Sequence, residues 1–336
     1  MTAVPDLYAS GQKLGRYQLI RRLAVGGMAE IYLARVPGVG IEGFEKLVVL
    51  KRILPQHALD PELLRMFLDE ARLSAMLCHP NLAIVYDVAA DEGATFIAME
   101  YLDGIDLRQL MVAAHTHGAR RLPTSAAVAI VRAAAAGLDH AHQRCGHDGA
   151  PLELVHRDVS LSNIMVTRDG AVKVIDFGIA RARVSINVEA PGTIRGKPGY
   201  MAPEQCLADP IDARCDVFSL GVVLYELATG RRCFDGATDI ERIRATVRGN
   251  YVPASVVVPE LPRVLERVIE RALAVDPDDR HGSAGELVAA LDALPTCDSA
   301  ALGALVGELA IAPHVRTIAS DDVPTRGVRH RELRAA

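Results

Sequence analysis

The apolar periodicity of this chain shifts near residue 101, from mostly strand spacing to mostly helical spacing, and that shift limits what it can fold into. Before it, apolar residues recur at strand spacing. Tyr17 to Val49 reads as short strands parted by turns at Gly26-Gly27 and Gly38-Val39-Gly40, and Phe44 to Ile53 as a β-rich run. Two more strands are expected at Ala83–Ala89 and Thr95–Tyr101. One helix interrupts them, Pro61 to Leu77, with its apolar stripe at Leu63, Phe67, Ala71 and Leu77 and with Glu70 beside that stripe. After residue 101 the spacing is helical. Thr124 is the candidate N-cap of an Ala-rich helix over Ser125–His142. A hairpin is expected at Ile164–Thr167 and Ala171–Ile175 across an Asp169-Gly170 turn, and helices follow at about 217–229, 239–248, 261–274, 283–293 and 299–311. The pattern predicts an α+β chain: a small β-rich part, then a larger helical part. Residues 1–15 read as a loose polar leader and Pro313 to Ala336 as a flexible, Arg-rich tail.

Composition excludes several classes. Half of the 336 residues are apolar and the formal net charge is −5, which argues against a nucleic-acid binder, because a phosphate backbone calls for a basic excess. No apolar run approaches a membrane span; the best stretch, Val217 to Leu227, suits a buried core helix. The N-terminus lacks a basic segment followed by an apolar one, so no signal peptide is expected. The six cysteines (Cys78, Cys145, Cys206, Cys215, Cys233 and Cys297) form no C-x-x-C pair, and the expectation is reduced, mostly buried thiols in the cytoplasm. Of 37 basic residues only five are lysine: Lys13, Lys46, Lys51, Lys173 and Lys197. Where a chain writes arginine by default, a lysine marks a position where a point charge serves better than a planar fork.

The residues that could carry chemistry come in a fixed order. Leu23 to Tyr32 forms a glycine-containing turn after a strand, and Lys51 ends a strand. Glu70 sits on the helix. His156-Arg157-Asp158-Val-Ser160-Leu-Ser-Asn163 precedes Asp176-Phe177-Gly178; then come Ala202-Pro203-Glu204, Asp216-Val-Phe-Ser-Leu-Gly221 and Arg280. Each piece alone is weak: Lys51 alone would read as a snorkelling strand-end lysine, Glu70 as an ordinary helix carboxylate, Asp158 as a turn residue. Together, in order and at these spacings, they resemble the eukaryotic-like (Hanks-type) serine/threonine protein kinases of bacteria, over about Arg16 to Leu294.

That resemblance implies a bilobal fold, with an N-lobe over 16–101, a C-lobe over 102–294, and a C-terminal helix and tail over 295–336. It implies a protein kinase that transfers the γ-phosphate of ATP, with Mg²⁺ or Mn²⁺, to Ser/Thr hydroxyls of protein substrates, and that autophosphorylates. Lys51 would neutralise the phosphates and Glu70 would hold Lys51. Asp158 would orient the substrate hydroxyl, and Asn163 and Asp176 would ligate the metal. Leu23, Ala24, Val25, Gly26, Gly27, Met28, Ala29 and Ile31 would cover the nucleotide. Met99 would stand behind the adenine, with the backbone of Glu100 and Leu102 on its edge. Glu204–Arg280 and Asp216 are read as structural. Arg157 would bind a phosphate on Thr193 or, second, on Ser185.

Three departures from the family pattern stand out. The glycine-rich loop reads Ala24-x-Gly26-x-x-Ala29, which predicts a stiffer lid. Ser160 stands where the family's serine/threonine kinases carry a lysine. Lys197 stands where they carry a threonine. The expectation is an exchange: Lys197 supplies the cation near Asp158 and Ser160 the hydroxyl, against the alternative that Lys197 points to solvent. Two other readings are weighed. A pseudokinase acting as a nucleotide-binding scaffold is favoured by Ala24, Ala29 and Ser160. A small-molecule phosphotransferase is opposed by the Ala-Pro-Glu segment. Substrate and oligomeric state are not legible.

Overall fold

Strand alternation in the first hundred residues builds one antiparallel sheet. A computed structural model of the chain describes residues 11–38, 43–91, 93–146, 148–177 and 197–309. These divide into two compact units: residues 11–78 with 83–102, and residues 79–82 with 103–309.

The first unit carries six strands: β1 (Lys13–Leu14), β2 (Tyr17–Val25), β3 (Ala29–Pro37), β4 (Glu45–Ile53), β5 (Val85–Asp91) and β6 (Ala94–Glu100), in the order β1-β2-β3-β4-β6-β5. Because successive side chains point to opposite faces, Tyr32, Ala34, Val48 and Leu50 bury into one apolar cluster, while Ile31, Leu33 and Val49 bury into another. Two helices follow β4: α1 (Pro55–Ala58), a single turn the sequence pattern did not reveal, and α2 (Pro61–Ala75). Asp60 caps α2, accepting from the backbone N–H groups of Glu62 and Leu63 at 2.9 and 3.3 Å. Its buried residues are Met66, Phe67 and Ala71. The expected stripe is corrected at two places: Leu63 lies in the half-buried first turn, and Leu77 is buried from beyond the helix end.

The second unit is helical around a small sheet, β7 (Gly104–Asp106), β8 (Ile164–Thr167) and β9 (Val172–Val174). Its helices are α3 (Leu107–Thr116), α4 (Thr124–His142), α5 (Pro203–Leu207), α6 (Arg214–Thr229), α7 (Asp239–Val247), α8 (Ala254–Val257), α9 (Arg263–Ala272), α10 (Ala284–Leu291) and α11 (Ser299–Leu309). Every residue of α6 from Cys215 to Thr229 is buried, so this helix is the unit's core. Thr124 is not the cap of α4. The helix begins on it, and Pro123 occupies the cap position without a side-chain hydrogen bond. Lys173, on β9, is buried and donates to the Leu82 carbonyl at 3.3 Å. Of the six cysteines, Cys206, Cys215 and Cys233 are buried while Cys78 and Cys145 are exposed, a smaller buried share than expected.

The β8–β9 turn shows why glycine stands at 170. Its φ is +81°, and an added Cβ would lie 1.7 Å from the Ser299 carbonyl oxygen. Helix α11 docks there through Leu302, Gly303, Val306 and Leu309, all buried.

Candidate active site

The first unit positions a lysine and a carboxylate. Strand β4 pairs Lys51 with Ile31 on one side and Ile97 on the other, which fixes it beside the turn between β2 and β3. Glu70, on the inner side of α2, accepts from Lys51 Nζ at 2.7 Å, with both side chains largely buried. In a pair this shielded each charge depends on the other, because removing one strands its partner out of water.

The turn itself is closed by the Gly26 N–H donating to the Ala29 carbonyl at 2.8 Å, and the Leu54 N–H donates to the Met28 carbonyl at 2.9 Å. His57 Nε2 lies 2.9 Å from the Gly27 carbonyl and donates to it. Leu23, Ala24, Ala29 and Ile31 are buried and Val25 is exposed. Neither Ala24 nor Ala29 adopts a positive φ, so both alanines sit in backbone that any residue accepts. Met99, on β6, pairs with Val49 and packs on its cluster. The Glu100 N–H donates to the Ile84 carbonyl at 2.8 Å, so that donor is engaged within the first unit. Leu102 closes the first unit.

The second unit holds the loop 156–163. Asp216, in the first turn of α6, is fully buried. It accepts from the backbone N–H groups of His156 and Arg157 and from His142 Nε2, each at 2.8 Å. Burial pushes its carboxyl up, but the hydrogen bond and charge of His142 and the bond from His156 outweigh this and leave it below the ordinary aspartate value. Arg157 sits at φ +65°, in the left-handed region, and its carbonyl accepts from Gln205 Nε2 at 3.1 Å. The His156 ring accepts from the Asp158 N–H at 3.2 Å through Nδ1, so its Nε2 donates to the Ile175 carbonyl at 3.1 Å; the ring also packs on Phe177. His142 and Gln205 hold this loop in place through Asp216 and the Arg157 carbonyl, and motif spacing missed both. Gln205 directly follows Ala-Pro-Glu and could have been suspected, whereas nothing local marks His142.

Asn163 clasps Asp158. Its Nδ2 donates to the Asp158 carbonyl at 2.8 Å and to Asp158 Oδ2 at 2.9 Å. Lys197 Nζ donates to Ser160 Oγ at 3.1 Å and, at the long distance of 3.4 Å, to Asn163 Oδ1. The Ile175 N–H donates to the Asn163 carbonyl at 2.9 Å, which brings the segment carrying Asp176 against Asn163. Asp176 itself has φ +55°. A carboxylate and an amide oxygen on hydrogen-bonded segments form an oxygen donor set of the kind a hard divalent cation takes.

Below this loop, Glu204 and Arg280 form a bidentate pair at 2.7 and 2.8 Å, and Arg280 also donates to the carbonyls of Ala274, Val275 and Arg214. Tyr200 donates to Glu226 at 2.5 Å, and burial pushes the Tyr200 hydroxyl well above its ordinary value. Thr193, Ser185 and Gly178 lie outside the described residues.

A β-rich unit with its Lys–Glu pair and a helical unit built around a clasped aspartate define a class, the protein kinases. The protein kinase domain pattern matches residues 17–290, and the chain belongs to that family. Within it, the chain sits with the bacterial Hanks-type members. It is 41% identical over 283 residues to the Tyrosine-protein kinase MasK of Myxococcus xanthus, covering 84% of this chain and 43% of that protein. It is 36% identical over 282 residues to the Serine/threonine-protein kinase PknB of Mycobacterium tuberculosis, covering 82% of this chain and 42% of that protein. The solved kinase domain of Mycobacterium tuberculosis PknI aligns with a TM-score of 0.63 at 32% identity, over 85% of this chain and 98% of that domain. The chain thus spans less than half the length of these two curated relatives. Among the described residues no helix is long and apolar enough to cross a membrane.

Proposed function

We propose that the chain transfers the γ-phosphoryl group of ATP to serine or threonine hydroxyls of proteins, itself included. The observation that carries this reading is the Asn163 clasp on Asp158, one hydrogen bond to its backbone carbonyl and one to its buried carboxylate, which aims that carboxylate. In the step, the bond between the γ-phosphorus and the β–γ bridging oxygen breaks. A bond forms from the substrate hydroxyl oxygen to the γ-phosphorus. The hydroxyl proton passes to Asp158, and ADP leaves with the electron pair. Lys51, held by Glu70, neutralises the α- and β-phosphates. Leu23 to Ala29 and Ile31 cover the nucleotide, with Met99, Glu100 and Leu102 at the adenine. Asn163 and Asp176 would hold Mg²⁺ or Mn²⁺, the Asn163 amide oxygen giving up its long 3.4 Å contact with Lys197 to do so, and the metal would supply charge neutralisation on the phosphates. Arg157 binds a phosphate carried by Thr193 or Ser185. The reading has the chain act in the cytoplasm, where ATP is.

The relatives carry both names, serine/threonine and tyrosine kinase, so the acceptor is the finer question. The test incubates the chain and Asp158→Asn with labelled ATP, Mg²⁺ or Mn²⁺ and a generic protein substrate, followed by phosphoamino-acid analysis. Phosphoserine or phosphothreonine from the unmodified chain alone supports the reading. Phosphotyrosine overturns the acceptor assignment. Nucleotide binding without transfer would make the chain a scaffold instead.

A further inference from the structure

We infer that Lys197, held by Ser160, supplies the positive charge that accompanies the phosphoryl group during transfer. The inference rests on the kinase reading and assigns a residue to it from outside the 156–163 loop. Lys197 Nζ donates to Ser160 Oγ, a hydroxyl on a residue only 1% exposed. The same ammonium lies 3.4 Å from Asn163 Oδ1, while Asn163 Nδ2 donates to Asp158 Oδ2 at 2.9 Å. One amide therefore stands between the ammonium and the carboxylate. Its orientation is self-consistent, because the nitrogen end faces the anion and the oxygen end faces the cation.

Three facts favour a working cation over a plain strut. First, an ammonium has three N–H donors: Ser160 Oγ takes one, the 3.4 Å contact to Asn163 Oδ1 is too long to commit a second, and the others can meet a phosphoryl oxygen. Second, the position holds one of only five lysines among 37 basic residues. A flexible stem carrying a point charge can follow a group that moves between two oxygens, whereas a planar guanidinium fork is tied to fixed partners. Third, loop residues 158–163 contain no basic side chain. Charge developing on the phosphoryl oxygens during transfer gains most from a donor placed beforehand in a shielded site.

The alternative is that Lys197 only fastens its own segment to the loop. Two variants of the intact chain, Lys197→Met and the exchange Ser160→Lys/Lys197→Thr, separate the two. The measurements are kcat and KM for ATP, the calorimetric Kd of the Mg²⁺ complexes of ADP and of the non-hydrolysable ATP analogue AMP-PNP, and a thermal melt. Lys197→Met should lower kcat at least about tenfold and weaken AMP-PNP more than ADP, since only the analogue carries a γ-phosphoryl group. The exchange should recover most of kcat. Should Lys197→Met melt early, Lys197→Gln, which can still donate to Ser160 but carries no charge, replaces it and should still show lowered kcat and weakened AMP-PNP. An unchanged kcat, an equal loss for both nucleotides, or an exchange no better than the single variant overturns the inference. Failure of the unmodified chain to transfer phosphate at all would instead overturn the kinase reading.

Discussion

Asp216 Oδ1 accepts the Arg157 N–H at 2.8 Å and so holds Arg157 at φ +65°. That bond ties the loop bearing Asp158 to the most buried helix of the second unit. Asp216→Asn keeps the shape but puts an amide donor where backbone N–H groups and His142 converge. It should destabilise the fold by about 2–3 kcal/mol, the cost of unsatisfied buried groups. It should also lower kcat more than it changes KM for ATP, because Asp158 loses its aim. Urea unfolding together with steady-state kinetics checks both. A variant as stable and as fast as the unmodified chain would detach Asp216 from the site.

Lys51 and Glu70 meet at 2.7 Å within the first unit. Lys51→Met should lower kcat/KM about a hundredfold or more, the scale of losing one preorganised charge at a phosphate. Lys51→Arg should not restore it, because the fork cannot serve Glu70 and a phosphate from one point. Glu70→Gln should be milder, since an amide can still accept from Lys51. If Lys51→Arg matches the unmodified chain, the lysine is not specifically required.

Much of this arrangement is legible in sequence, and the exceptions have causes. Lys51 and Glu70 are readable because they fall in an ordered set of motifs at fixed spacings, not because either stands out alone. Lys173 is not, because every residue of β8 and β9 is buried, so alternation no longer separates inside from outside. The contact of Lys197 with Ser160 joins positions 37 residues apart. Only the paired departures from a known pattern hint at it. His142 is invisible for the same reason: its partner, Asp216, is 74 residues away. Strand β7 has three residues and no pattern of its own; it exists because Gly104 lets the chain approach the Val166 carbonyl, where an added Cβ would lie 2.2 Å away.

The β8–β9 turn makes a further prediction. At Gly170 an alanine meets both a left-handed φ and the Ser299 carbonyl. Gly170→Ala should cost about 1–3 kcal/mol, as overpacking does, and should loosen α11 first. Hydrogen exchange should show faster exchange in residues 299–309 than in α6. Equal protection of α11 in both proteins would mean that the helix does not depend on this approach.

His281 predicts how the fold responds to acid. Its ring is buried, Nε2 makes a long 3.4 Å bond to the Val268 carbonyl, and Nδ1 has no partner among the described residues. Burial, and then the charge of Arg271, hold its pKa below the ordinary histidine value, against the opposing pull of the Val268 carbonyl and Glu286. The unfolded chain therefore binds this proton more readily than the folded one. The resulting stability is fully present above the unfolded pKa of about 6.5 and is lost as pH falls from there through the folded pKa. One proton taken up on unfolding changes stability by at most about 1.4 kcal/mol per pH unit. Melts between pH 8 and pH 5 should show a falling midpoint below about pH 6.5. His281→Gln should flatten that part of the curve even where its midpoint at pH 8 is lower. A variant with the same slope as the unmodified chain would assign the acid sensitivity to other groups, first to His79, which burial holds below the ordinary histidine value.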